Sequence, residues 1–199
     1  EYSSGGVLLS VKKYDILSSV KGGRGRKFLV LFPFVRPSER FRVTSEDGVV
    51  FFEVPRTQNE IEDLVNFLHL VGHLVLRHPE RGDLFGRNEY WDSACDFAVS
   101  NFIYKEVVVN LPPRLRRRVL PFLKPFEPTF LNLSTEEIYL RLLKRGMAPT
   151  AGDDHASFRE ALHKIPQEVW KELLSAGEDE TSPSAGDLAG TYRKTITLP

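Results

Sequence analysis

Between Ile61 and Arg77 the spacing predicts one long helix that is apolar on two sides. Ile61, Leu64, Val65, Leu68, Gly72 and Val75 recur at helical spacing, while Leu70 and Leu74 lie on a different side. A surface helix hides one stripe, so a helix apolar on two sides must be sandwiched between other layers. Thr57 is the expected N-cap, because Glu60 follows at the capping-box spacing. The helix should stop near Arg77, because His78 precedes Pro79 and a residue before proline avoids helical backbone.

The flanking segments supply candidate layers. Phe28 to Val35, FLVLFPFV, reads as a short buried strand, with Pro33 marking its end or an edge. Phe41–Thr44 and Val49–Val54 read as two more strands joined by Ser45-Glu-Asp-Gly48, and Asp-Gly is a hairpin signal. A small antiparallel sheet is therefore expected over Phe28–Val54. On the other side, Trp91, Ala94, Cys95, Ala98, Val99, Phe102 and Ile103 define a second helix by their period. Asn110 to Pro128 is proline-rich and expected to be irregular. Ser134-Thr-Glu-Glu137 is a capping box for a helix that should end at Gly146. Two short helices are expected around Phe158–Ile165 and Val169–Leu174, and the Gly/Ser-rich, acidic stretch from Gly177 reads as a linker. The fold class is α+β, with a mostly helical body.

Charge and cysteine usage limit the function. Lys+Arg and Asp+Glu each number 27, so the chain is formally neutral, which argues against a general nucleic-acid or membrane-surface binder. One cysteine, Cys95, excludes a disulfide framework and points to a reducing, cytoplasmic setting. No stretch reaches the ~18 apolar residues of a membrane span. The opening, Glu1-Tyr-Ser-Ser-Gly-Gly, is not a signal peptide and lacks Met, so the expectation is a chain that begins inside a longer one.

Three of the five histidines fall in His69-Leu-Val-Gly-His73-Leu-Val-Leu-Arg-His78. His69 and His73, at i and i+4, put both rings on one helix face, where they can chelate one zinc ion. The alternative is a pair of histidines at the edge of a core, hydrogen-bonded to nearby carbonyls. Two histidines need at least a third protein ligand. His78 is one candidate, if the chain turns back before Pro79. Asp96, at the margin of the second helix stripe, is the other. Asp92, one turn earlier, could hydrogen-bond a histidine from behind. In the H-E-x-x-H proteases the residue after the first histidine is the glutamate that serves as general base. Here it is Leu70, which cannot take a proton.

Together with Trp91-Asp-x-Ala-Cys-Asp96-x-Ala-Val-x-Asn101, the run from His69 to Pro79 resembles the metallopeptidase domain found before von Willebrand factor A-like domains, often encoded near MoxR-type AAA ATPases. Leu133-Ser-Thr-Glu-Glu-Ile-Tyr139 and Asp153-Asp-His155 add weaker matches, and the resemblance spans about Phe41 to Gly177. It implies a zincin-like domain with zinc held by His69, His73 and Asp96; the domain is expected over residues 1–176, with the polar stretch over 177–199 as a linker or tail. It also implies a protein partner, either the ATPase or the von Willebrand-type domain. Leu70 in place of the family glutamate implies lost or weakened hydrolysis, hence a pseudoenzyme or protein-binding module. Asp92 replaces the usual asparagine. Two alternatives stand beside this: an active hydrolase with a substitute base (Glu80, Glu89, Asp92 or His78), and a metal-free interaction module. His155, beside Asp153 and Asp154, is a further candidate for metal or acid/base work. The Arg114, Arg116, Arg117 and Arg118 cluster near Lys124 reads as a solvated face, and Cys95 as a small core residue.

Overall fold

The computed structural model describes residues 11–23, 25, 28, 35–46, 49–78, 81–82 and 88–147. Helix α1 (Val11–Ser18) precedes three strands, β1 (Val35–Ser38), β2 (Arg42–Glu46) and β3 (Val49–Pro55). Four helices follow: α2 (Glu60–Val75), α3 (Glu89–Glu106), α4 (Pro113–Val119) and α5 (Thr135–Arg145), with short 3-10 turns between the later ones. The architecture is α+β, as expected.

The sheet is mixed rather than antiparallel. β2 and β3 pair antiparallel, Val43 opposite Phe52 and Glu46 opposite Val49, so the register spans the Asp47-Gly48 dipeptide that signalled a hairpin. β1 runs parallel to β3, with Val35 opposite Phe52. The strand order, β1-β3-β2, explains this. The chain reverses within Glu39–Phe41, so β2 runs against β1, and β3 enters between them. A strand antiparallel to β2 is then parallel to β1. β1 also starts where the expected strand was to end: it is built on Val35-Arg-Pro-Ser38, and Pro37, which has no N–H to donate, sits on an edge strand that tolerates it. The expected strand body, residues 29–34, lies outside the described residues.

Val35, Phe52 and Val43 form a buried row across all three strands, and Val54 joins them from the same face of β3. They pack with Ile61, Leu64, Val65, Leu68 and Val71 of α2 in one core. On its other side α2 meets α3. The two-sided helix is sandwiched between sheet and helix, as its pattern demanded, and Leu70 and Leu74 are buried with the rest. Its N-cap is Asn59, not Thr57. The Asn59 side chain accepts from the Ile61 and Glu62 backbone N–H groups, while Thr57 Oγ1 accepts from Asn59 N at 3.0 Å, which braces the cap from outside.

α3 is the centre of the helical body. Asn88 caps it through bonds from Tyr90 N and Trp91 N, both 3.0 Å. One face touches α2; another packs Ala94, Phe97 and Ala98 against Phe130, Ile138 and Leu142. α5 has both predicted ends: the reciprocal Ser134–Glu137 capping box and Gly146 in left-handed conformation at φ 58°. The proline-rich stretch is less irregular than expected, because Pro113 suits the first turn of α4. Within it Arg116 donates to the Val109 and Leu111 carbonyls, which ties at least one of the clustered arginines to structure rather than to an anion. The expected helices over Phe158–Leu174 and the boundary at residue 177 lie outside the described residues.

Candidate metal centre

The site is assembled where α2 and α3 come closest. Gly72 makes the approach possible: a Cβ there would lie 2.7 Å from Val99 Cγ1. One turn of α2 carries His69, Gly72 and His73 on the same face, and the matching turn of α3 carries Asp96 and Val99. Closing the helices over Gly72 therefore brings Asp96 onto both imidazoles.

The three donor atoms form a small triangle. His69 Nε2 and His73 Nε2 are 3.0 Å apart. Asp96 Oδ1 lies 3.5 Å from His69 Nε2 and 3.3 Å from His73 Nε2. A tetrahedral zinc site with bonds of ~2.0–2.1 Å has ligand–ligand edges of ~3.3 Å. The observed edges straddle that value, so these residues fit a tetrahedral divalent ion. Among the described residues, His69, His73 and Asp96 are the group whose atoms converge in this way.

Burial strengthens the point. His69 is 8% exposed, His73 0% and Asp96 3%. Burial by itself raises the Asp96 carboxyl pKa, but hydrogen bonding and charge from His69 and His73 outweigh it and hold the group below its ordinary value. Asp96 is therefore a carboxylate at neutral pH, and a buried carboxylate between two imidazoles calls for positive charge, either a proton on a ring or a cation. The Phe41 ring, 5.5 Å from the His69 ring, borders the site from the start of β2.

Arg77 at φ 55° turns the chain back after α2, as His78 would require to approach the site. His78 does approach, but not as a ligand. Its Nδ1 is 3.1 Å from His73 Nδ1, on the far side of the His73 ring from Nε2, and its Nε2 is 3.1 Å from Thr135 Oγ1 at the start of α5. Asp92 lies half-buried one turn before Asp96 and is not part of the converging group. Glu89 is exposed. Glu80 and His155 lie outside the described residues. Leu70 is fully buried in the core. Cys95 is fully buried, and burial first, then the Asp96 charge, pushes its thiol pKa well up, so it is an inert thiol.

Sequence reasoning missed Thr135 and Phe41 as neighbours of the site. Thr135 carried one signal, its place at the first helical position after a capping serine, where a hydroxyl is common for helix reasons alone. Phe41 carried none beyond strand propensity.

Comparison with curated proteins and with solved structures found no match. A family model does match, over residues 57–187, more than half of the chain. Its span takes in α2 to α5, and with them all three converging residues and the His78–Thr135 contact. On that match the chain belongs to the family described as "Putative metallopeptidase domain".

Proposed function

We propose that this domain binds one zinc ion through His69, His73 and Asp96 and has lost efficient peptide hydrolysis, so that it serves in binding rather than cleavage. The observation that carries the reading is the buried triangle of Nε2, Nε2 and Oδ1, with edges of 3.0, 3.3 and 3.5 Å, beside a fully buried Leu70. Two neutral imidazoles and a carboxylate suit zinc, which takes nitrogen and oxygen donors in tetrahedral sites. A zinc ion bound there supplies Lewis acidity toward water or a carbonyl. Two histidines and a carboxylate leave a fourth position to something other than protein, which is the donor count of a hydrolytic site.

The chain's own residues do the rest of the work. Asp96 balances charge and holds both rings toward one point. Leu70 stands where a general base would stand, and it neither accepts a proton from water nor returns one to a leaving amine. General acid–base catalysis typically contributes ~10²–10⁴-fold, so its loss removes most of the rate even with the ion in place.

Elemental analysis of protein purified without a metal-affinity column tests the first half: the expected result is about one zinc per chain, abolished by His73→Ala because two ligands hold zinc poorly. Protein that carries no transition metal and takes up none on adding zinc refutes it. A protease assay on an unfolded substrate, with and without chelator, tests the second half. Robust chelator-sensitive cleavage by the unmodified chain would overturn the inactive reading and support a hydrolase with another base.

A further inference from the structure

His73 faces two ways. Its Nε2 points at Asp96 and His69, and its Nδ1 points at His78. A neutral imidazole carries one N–H, and a ring that offers a lone pair to a cation at Nε2 must keep its proton on Nδ1. That proton needs an acceptor. Metal-binding histidines usually find a carboxylate, a backbone carbonyl or water for it. Here the atom in place is another imidazole nitrogen, His78 Nδ1, at 3.1 Å.

The rest follows by elimination. If His78 Nδ1 accepts, the His78 proton sits on Nε2, and Nε2 donates to Thr135 Oγ1 at 3.1 Å. Both distances suit that direction, and the cation at His73 Nε2 is what selects it. His78 is 1% exposed and Thr135 2%, so water does not compete freely for either contact. The turn carrying His78 is anchored independently: Arg81 Nη1 donates to the Leu76 carbonyl at 3.1 Å, and Arg81 Nε donates to Glu136 Oε1 at 2.9 Å. Glu136 neighbours Thr135, so the turn carrying His78 and the Thr135 end of the relay are both fixed to the first turn of α5. The left-handed Arg77 is what lets the ring reach back: a helix continuing past Leu76 would carry residue 78 away from His73.

We propose that His78 is a positioning residue for the metal centre: it accepts the His73 Nδ1 proton, fixes the tautomer that presents Nε2 to the ion, and couples the site through Thr135 to the start of α5. The inference rests on the metal reading proposed above. His78 cannot itself be a fourth ligand, because its contact is with the ring nitrogen that faces away from Asp96.

The test compares zinc affinity, by competition with a chromophoric chelator, in the full chain and in His78→Phe, His78→Asn and Thr135→Val, with unfolding of each metal-free protein measured alongside. Phe keeps a ring and removes the acceptor. Asn places Oδ1 about where Nδ1 stands and restores it. The expected result is a ~10–100-fold loss of affinity for His78→Phe, recovery to within a few-fold for His78→Asn, and an intermediate loss for Thr135→Val. In the zinc-loaded protein, a slowly exchanging imidazole N–H on His73 Nδ1 should be visible by NMR in the wild type and His78→Asn and not in His78→Phe. Zinc affinity in His78→Phe equal to the wild type overturns the inference while leaving the metal reading intact. Equal loss in His78→Phe and His78→Asn, in step with lost stability of the metal-free proteins, shows that the ring only packs, and also overturns it. A wild-type chain that takes up no zinc overturns the metal reading and this inference with it.

Discussion

Gly72 sets the distance between α2 and α3, and on the proposed metal reading Gly72→Ala should loosen the site more than it loosens the fold. The new Cβ would lie 2.7 Å from Val99 Cγ1 and 3.3 Å from Cγ2. Carbon atoms settle at ~3.5–4.0 Å, so something must move by ~1 Å. Val99 cannot yield easily: it is fully buried, and a β-branched side chain in a helix has one strongly preferred rotamer. The helices must part instead. Overpacking of this kind costs ~1–3 kcal/mol, against which alanine gains up to ~1 kcal/mol of helix propensity over glycine. The net loss of metal-free stability is then only ~0–2 kcal/mol. At the site the same ~1 Å opens the two edges that cross between helices, now 3.3 and 3.5 Å, to about 4.3–4.5 Å, well beyond the ~3.3 Å edge of a tetrahedral ion. Zinc affinity should fall at least ~10-fold, about 1.4 kcal/mol. The assay is a chelator-competition titration on the wild type, Gly72→Ala, Val99→Ala and the double variant. Val99→Ala removes the two methyls that clash, so the double variant should regain affinity relative to Gly72→Ala, with a coupling of ~1 kcal/mol or more. Wild-type affinity in Gly72→Ala, or no recovery in the double variant, would refute the reasoning.

Three further outcomes are expected. Glu53 has its pKa lowered, since bonds from Arg42 and Thr44 outweigh the burial that would raise it; its folded pKa is below the unfolded one, so its contribution is present above the ordinary value of 4.5 and lost as pH falls through the folded value. Glu53→Gln should therefore flatten the acid limb of stability measured by denaturant titration, and an unchanged limb counts against the assignment. Ser134→Ala removes one half of the capping box on α5 and should cost ~1 kcal/mol in urea unfolding, with a cost near zero marking the box as idle. Leu70→Glu should destabilise the metal-free fold by several kcal/mol, because it puts a carboxylate where a fully buried leucine packs, and it should restore at most weak chelator-sensitive hydrolysis; a stable, efficient peptidase would contradict the buried placement.

The elements most legible in the sequence are those whose pattern and ends agree. α5 has its cap and its glycine stop, and both are where the spacing put them. α2 announced its place between two layers because apolar residues on two sides admit no other solution. The convergence of the trio was legible because two histidines at i, i+4 must share a face, while Asp96 needed the resemblance as well, since a carboxylate at a helix margin more often meets solvent. The sheet was read wrongly in one respect. Strand propensity is local, but which strand lies between which others depends on contacts across the fold, so the parallel β1–β3 pair left no trace in alternation. The cap of α2 shifted from Thr57 to Asn59 for a similar reason: both residues are good caps, and the backbone chose the one next to Glu60. Thr135, in contact with His78, was invisible because it is 57 residues away in sequence, and nothing local marks a hydroxyl that meets a distant ring.

A catalytic zinc site keeps a position open to water and substrate, whereas a structural one is closed and adds its binding energy to the fold. The trio here has the donor count of the first kind and the burial of the second. All three residues are buried, and the helix that carries two of them is packed on its remaining sides by core. Leu70 belongs to that packing. Burying a leucine contributes ~1.5–3 kcal/mol, whereas a glutamate in the same surroundings would be driven toward its neutral form and could not act as a base near neutral pH. On the reading proposed above, loss of the base and closure of the site are one physical change rather than two. On the proposed reading, an ion bound between α2 and α3, and linked through His78 and Thr135 to α5, holds three helices at one point, and its retention is understandable on grounds of stability after hydrolysis has gone.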